Sequence, residues 1–457
     1  MPLQNIGGDP ENEFFSDGLT EDIIAHLSHV DGLRVISRTS VMPFKQTTAS
    51  LGEIAAALNV GTVLEGSVRR AGERLRVVVQ LIDARSDQHL WAETYDRELD
   101  DVFAIQSEIA LKVADALRAS LSPEQEVRIR RRPTESIAAH DLYLLAKHDW
   151  YSFTKEGLLR AKERLEGALE LDPNHAPAHA GLAHVYLIGG RGGVDAFPMA
   201  EAREKARAAA HRAISLDGGL GLAYSTLSMI HAWFDWEWDK AIEVGRMGVE
   251  AEPNSSGAWG GYAWVLAPAG KLEESIEAGR QFLALDPLEP VAHHNQAARL
   301  FSAHRTDEAL PLIHRCLELD SDFTWGRTLL ADITLWQGDP QGAVAMLEPL
   351  FDQAEESGDV APSVGAALGA AGRVKEFSRV ASRLESWAEA GRESFVQAAI
   401  PYIWSGDHDH ALELLEKVPD QRPPPTSWPA NLRMYPLFDP IREDPRFQEV
   451  LRKMGLV

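Results

Sequence analysis

Cysteine is almost absent, with Cys316 standing alone in 457 residues. One thiol excludes an internal disulfide and any Cys-x-x-Cys metal spacing, and its small-residue place in a predicted helix reads as burial. Long hydrophobic runs are missing too. No stretch approaches the ~18–20 apolar residues that span a bilayer. Met1–Ile6 has neither the charged start nor the apolar run of a signal peptide, so a cytoplasmic location is expected. Positive charge is scarce, and the formal net charge is −24. Phosphate binding needs clustered Lys and Arg, so nucleic acid is not an expected partner. The one basic run, Arg128–Arg132, reads as a solvated linker. No nucleophile elbow, zinc motif, phosphate loop or dinucleotide fingerprint occurs, so no catalytic residue, metal or cofactor is expected.

What is present is ordinary for a folded chain, with 45% hydrophobic and 25% charged residues. The length calls for two or more units. In the first part, Leu19, Ile23, Ile24 and Leu27 share one helical face, and Thr20, Glu21 and Asp22 suit a helix start. Leu33–Ser37 reads as a short strand. Ser50–Leu58 reads as a helix, with Glu53 at capping-box spacing from Ser50. Thr62–Val68 and Leu75–Asp83 flank the hairpin signal Ala71-Gly72-Glu73-Arg74. Residues 89–99 add a further strand, and Asp101–Leu121 is an amphipathic helix. Asp17, Glu21, Asp22 and His26 lie close enough on one helix to suggest metal ligands, but a solvated acidic helix start explains them better.

Farther on, one stop signal recurs: Leu171-Asp172-Pro173, Leu216-Asp217-Gly218, Ala251-Glu252-Pro253, Leu285-Asp286-Pro287 and Leu319-Asp320-Ser321. The third residues are 45, 35, 34 and 34 apart. Between the stops, Trp259, Tyr262, Ala263 and Leu266 share one face of a helix, and Ser275, Gly279 and Phe282 share that of a second. This resembles the tetratricopeptide (TPR) repeat, whose period is about 34 residues. The resemblance implies a right-handed solenoid in which Ala183, Ala263, Ala297 and Ala331 sit where paired helices approach most closely. Its first helices would line a concave groove. If each unit follows the family geometry, the inward residues include His184, Met229, Trp233, Trp264, His294, Trp325, Asp332 and Trp336. Such a groove suits a protein or peptide partner, with Trp a frequent hot spot. Trp233, Trp236 and Trp238 read as a packed corner, and His408-Asp409-His410 as a solvated loop.

The first unit carries a second resemblance. Gly8-Asp9-Pro10-Glu11, Phe14–Asp22, Val63–Arg69 and Leu90–Arg97 resemble a TolB-like or FlgO-like domain. Asp444-Pro445-Arg446-Phe447 and Met454-Gly455-Leu456 resemble the usual ending of such chains. In bacteria that domain sits behind a class III adenylate cyclase or a CadC-like winged-helix domain, with TPR repeats following. The resemblance therefore implies signal transduction, with a cyclase or winged-helix module upstream. It also implies a periplasmic location if a membrane helix precedes this region in the parent. The apolar strand that usually opens the domain is missing, so the start is expected to lie upstream. The expected fold is a small α/β domain followed by an all-α TPR superhelical solenoid. Its divisions are 1–122 (TolB-like), 123–137 (linker), 138–420 (about eight hairpins, the last two degenerate) and 421–457 (Pro-rich segment and capping helix).

Overall fold

The computed structural model describes all residues except 8–11, 31, 152–153, 191–195, 423, 425, 427 and 457. The Gly8-Asp9-Pro10-Glu11 motif lies outside the described residues. Most of the Gly-rich insertion 189–197 and part of the triple-proline stop at 423–425 lie outside them as well. Among the described residues the architecture is a small α/β unit followed by paired helices of the TPR kind.

The first unit is built on a sheet ordered β1 (Gln4–Asn5), β2 (Thr62–Ala71), β3 (Arg74–Asp83) and β4 (Gln88–Glu98). β1 runs parallel to β2, at the edge where the sequence suggests a missing strand. β2 and β3 form an antiparallel hairpin in which Ala71 faces Arg74. Its turn contains Gly72 at a φ of 60°, which a residue without Cβ adopts freely. Leu75, Val77, Val79 and Leu81 alternate inward along β3. They pack under the helices Glu13–Ser28 and Val102–Ala116. The helix Leu51–Leu58 begins with the expected capping box, Ser50 with Glu53.

Two readings change. Leu33–Ser37 is not a strand of the sheet. Two of its backbone donors leave the unit: Val35 N–H bonds Asn254 Oδ1 (3.4 Å) and Ser37 N–H bonds the Leu285 carbonyl (2.9 Å). Within the expected linker, residues 123–130 form a helix with its own capping box, Ser122 with Gln125, and a fully buried Ile129, while Arg128, Arg130, Arg131 and Arg132 are exposed.

The repeats run as hairpins. Unit one is Ile137–Trp150 with Lys155–Leu171, and unit two is Ala176–Gly189 with Met199–Leu216. Unit three pairs Gly221–Ile230, extended by a π-helical turn His231–Asp235, with Trp238–Ala251. Units four, five and six are Ser256–Leu266 with Leu272–Leu285, Pro290–Ser302 with Thr306–Leu319, and Thr324–Trp336 with Pro340–Leu347. Ala361–Ala370 with Val374–Glu389, and Phe395–Ser405 with His408–Leu415, complete the series. His408-Asp409-His410 is thus a helix start capped by Asp407, not a loop.

Small residues set the spacing. Ala183, Ala263, Ala297 and Ala331 are fully buried. A Cβ on Gly181 would lie 2.6 Å from the Trp150 ring, and one on Gly248 would lie 2.9 Å from Tyr224. Any larger side chain there forces neighbouring helices apart. Three of the five stop signals close their helices in extended backbone, at Asp172, Asp217 and Asp320.

These helix ends also hold the first unit in place. Thr134 Oγ1 donates to Asp172 (2.6 Å) at the end of unit one. Arg131 bonds the Leu216 carbonyl (2.8 Å) and Asp217 (3.0 Å) at the end of unit two. At the end of unit three, Arg128 bonds the Ala251 carbonyl (3.3 Å) and Asn254 donates to the Ser28 carbonyl (3.1 Å). At the end of unit four, Asp286 accepts from Thr39 (2.7 Å) and Ser40 (2.5 Å). The cations sit where helix carbonyls and the macrodipole favour them. The acidic helix near the amino terminus belongs to the same interface. The expected solvated acidic face is instead paired: Asp22 with His140 at 2.8 Å and Glu21 with Lys147 across the interface, and Asp17 with Lys45 inside the first unit.

Candidate functional site

Trp264, His294, Trp325 and Asp332, four of the eight residues expected to face inward, line one cavity of about 220 Å³. They come from the first helices of units four, five and six, one unit apart along the array. The opposite wall is the chain's own C-terminal segment, through Thr426, Trp428, Asn431, Met434 and Tyr435. The Tyr435 hydroxyl donates to Asp332 Oδ2 at 2.7 Å. Asp332 is only 2% exposed, and among the described residues no cation pairs with it. Burial pushes its carboxyl up to about 7, against the pull of the Tyr435 and Ser363 hydroxyls.

The other four expected residues lie elsewhere. Trp233 is buried in the core, its ring edge-on to Trp264 at 5.2 Å. Met229 packs against the same core, its terminal methyl near Gly261. His184 lies against Trp150 at 6.0 Å, between units one and two, and burial lowers its pKa to about 4. Trp336 meets the C-terminal segment instead of the cavity: its indole N–H donates to Asp439 at 2.9 Å. Asp439 also bonds His304 (2.9 Å) and Arg442 (2.9 Å). Burial works upward on its carboxyl, but these donors outweigh it and hold the pKa below the usual value. Trp404 completes the seat by donating to the Leu437 carbonyl at 3.0 Å.

Arg299 lines the cavity as well, a residue that sequence reasoning missed. The signal is visible in retrospect, because Arg299 falls between Ala297 and Leu300 on the buried face of its helix. Tyr435 and Trp428 gave no such signal, since they follow the proline-rich stretch in no helical period.

Among the described residues one group has ligand-like spacing for a cation: His231, Asp235 and Glu237. His231 Nδ1 lies 2.9 Å from Glu237 and 3.2 Å from Asp235. Arg207 takes both oxygens of Asp235, at 3.0 and 2.8 Å, so the cluster is neutralised from within. Trp233, Trp236 and Trp238 beside it are all buried.

The chain is similar to proteins of two kinds. The family model "HilA/YgeH-like transcriptional regulator, second domain" matches residues 9–112. A protein of Rhizobium meliloti (strain 1021) named "Putative adenylate cyclase 3" is 38% identical over 236 residues, which are 51% of this chain and 40% of that protein. Transcriptional regulator HilA of Salmonella typhimurium is 28% identical over 157 residues, 34% of this chain and 28% of HilA. The chain thus spans less than half the length of either relative. Among solved structures, TTC0263, a thermophilic TPR protein of Thermus thermophilus, is similar at a TM-score of 0.37 and 19% identity. That match covers 43% of this chain and 100% of TTC0263. Among the described residues no helix is long and apolar enough to cross a membrane.

Proposed function

We propose that this chain is a non-catalytic protein–protein interaction and regulatory module of bacterial signal transduction, holding a peptide or protein segment against the inner face of its repeats. The observation that supports this reading is the seat of residues 426–441. The inner face already holds an irregular, aromatic segment through Tyr435 on Asp332 and Asp439 on Trp336. A face that binds such a segment within one chain has the chemistry to bind one from another, with aromatic anchors and a few placed polar groups. The TolB-like or FlgO-like character of residues 1–122, the linker at 123–137, the repeats at 138–420 and the cytoplasmic location belong to the same reading. Affinity capture tests it, comparing the intact chain with one carrying Trp264→Ala and Trp336→Ala. The intact chain should retain a partner that a synthetic peptide of residues 426–441 displaces, and the double variant should lose it. Equal capture of the same proteins by both would remove the inner face as the docking site.

The relatives favour a second reading, in which this chain is the regulatory part of a longer adenylate cyclase or CadC-like regulator. Their names point to cyclic-nucleotide synthesis and to transcription control. The coding DNA just upstream tests it: an in-frame cyclase or winged-helix region supports it, and an unrelated gene on the other strand removes it.

A further inference from the structure

Two buried ionisable groups of opposite sign border the inner cavity, and among the described residues neither has a counter-ion. Arg299 is 5% exposed, its Nε donates to Ser275 Oγ at 3.0 Å, and its Nη1 packs toward Gly279 without a hydrogen-bond partner. Among the described residues no carboxylate lies within ion-pair distance of it. Asp332, on the neighbouring first helix, takes the Tyr435 and Ser363 hydroxyls but, among the described residues, no cation. A buried charge without its counterpart is expensive, and each unmatched group is the kind of defect that folded proteins remove. Here two are kept beside the same open space without pairing with each other. The group that satisfies both is a molecule carrying both charges.

We propose that this cavity binds a free α-amino acid with an apolar or aromatic side chain. The carboxylate would lie on the Arg299 guanidinium, the ammonium on Asp332, and the side chain against Trp264 and Trp325. Arginine's planar fork matches a carboxylate, and indole faces attract both ammonium groups and apolar side chains. The cavity, at about 220 Å³, is smaller than the ~300–1,000 Å³ that holds drug-sized ligands. It suits one small molecule. Tyr435, as the opposite wall, brings ligand and C-terminal segment into contact, so occupancy is coupled to the seating of that segment. The inference goes beyond the docking reading, which concerns a macromolecular partner and is tested by capture.

The test is calorimetric titration of the full chain with each standard free amino acid in turn. At least one with an apolar or aromatic side chain should bind saturably with one-to-one stoichiometry. Its N-acetyl and its amide forms, each lacking one charge, should bind at least about tenfold more weakly, or ~1.4 kcal/mol. Asp332→Asn should weaken the free amino acid by a similar factor while circular dichroism and melting temperature show an intact solenoid. Should Asp332→Asn not fold, Trp325→Leu serves instead and should change the ranking among side chains. No binding by any amino acid at millimolar concentration would overturn the proposal. Equal binding of the N-acetyl and amide forms would overturn it too.

Discussion

The N-terminal unit meets the repeats through carboxylates, imidazoles, guanidinium groups and backbone carbonyls. The C-terminal segment meets them through phenol and indole rings, with polar anchors at Asp332 and Asp439. The first contact crosses the ends of four successive units and includes the buried bond between Ser40 and Asp286 and the partly buried one between His140 and Asp22. Buried polar groups of that kind are costly to expose, so the first contact resists opening. The second lies on one face and is dominated by ring packing, which other aromatic segments can reproduce. The difference teaches which part of the chain is fixed and which can be exchanged.

The largest expected effect follows from the fixed contact. Asp286→Leu removes the acceptor of both Thr39 and Ser40 and should cost about 2–4 kcal/mol, read as a lowered urea midpoint of the full chain. If it costs no more than a change in the C-terminal segment, the contrast between the two contacts fails.

Acid sharpens the comparison next. Burial is the main cause that lowers His29, His175, His184 and His294 to about 4, against about 6.5 for an exposed histidine. These rings are neutral in the folded chain and bind protons on unfolding. Their contribution is therefore complete above about 6.5 and is lost as pH falls toward about 4. Urea midpoints measured across that window should drop steadily. His29 and His175 lie near the N-terminal contact, whereas His294 lies on the cavity. The double variant His29→Gln, His175→Gln should flatten the acid slope more than His294→Gln does.

The smallest effect belongs to the exchangeable contact. Tyr435→Phe removes one hydrogen bond to Asp332 and should cost about 1–2 kcal/mol. Hydrogen exchange should quicken over residues 426–441 and stay unchanged in units one to three. Faster exchange in those units would mean that the two contacts are one cooperative structure.

Much of the fold was legible because it is periodic. The stop signals at Asp172, Asp217 and Asp286 mark helix ends, and the alternation along Leu75–Leu81 marks a strand. What they touch was not legible. Asp286 reads as a helix stop, yet it is bound by Thr39 and Ser40, about 250 positions earlier in the chain. Leu33–Ser37 has strand-forming residues, but two of its backbone donors are taken by Asn254 and Leu285. At the candidate site, repeat spacing brought Trp264, His294, Trp325 and Asp332 to one cavity because they occupy related positions in adjacent units. Trp336 and Trp233 have similar spacing but lie apart from it, one turned to Asp439 and the other sunk in the core. Tyr435 reaches Asp332 across 103 positions, a contact that no local pattern encodes.

The bonds from Thr134, Arg131, Arg128 and Ser40 to four consecutive unit ends have a mechanical consequence. A stack of hairpins is elastic, since small rotations between neighbours add along its length. Here the first four hairpins are splinted along one edge by the N-terminal unit, while units five and six are tied by the C-terminal segment through His304, Asp332 and Trp336. Tension applied at the far end would therefore fall on the junction between the two braces, at units four and five, which the aromatic cavity borders.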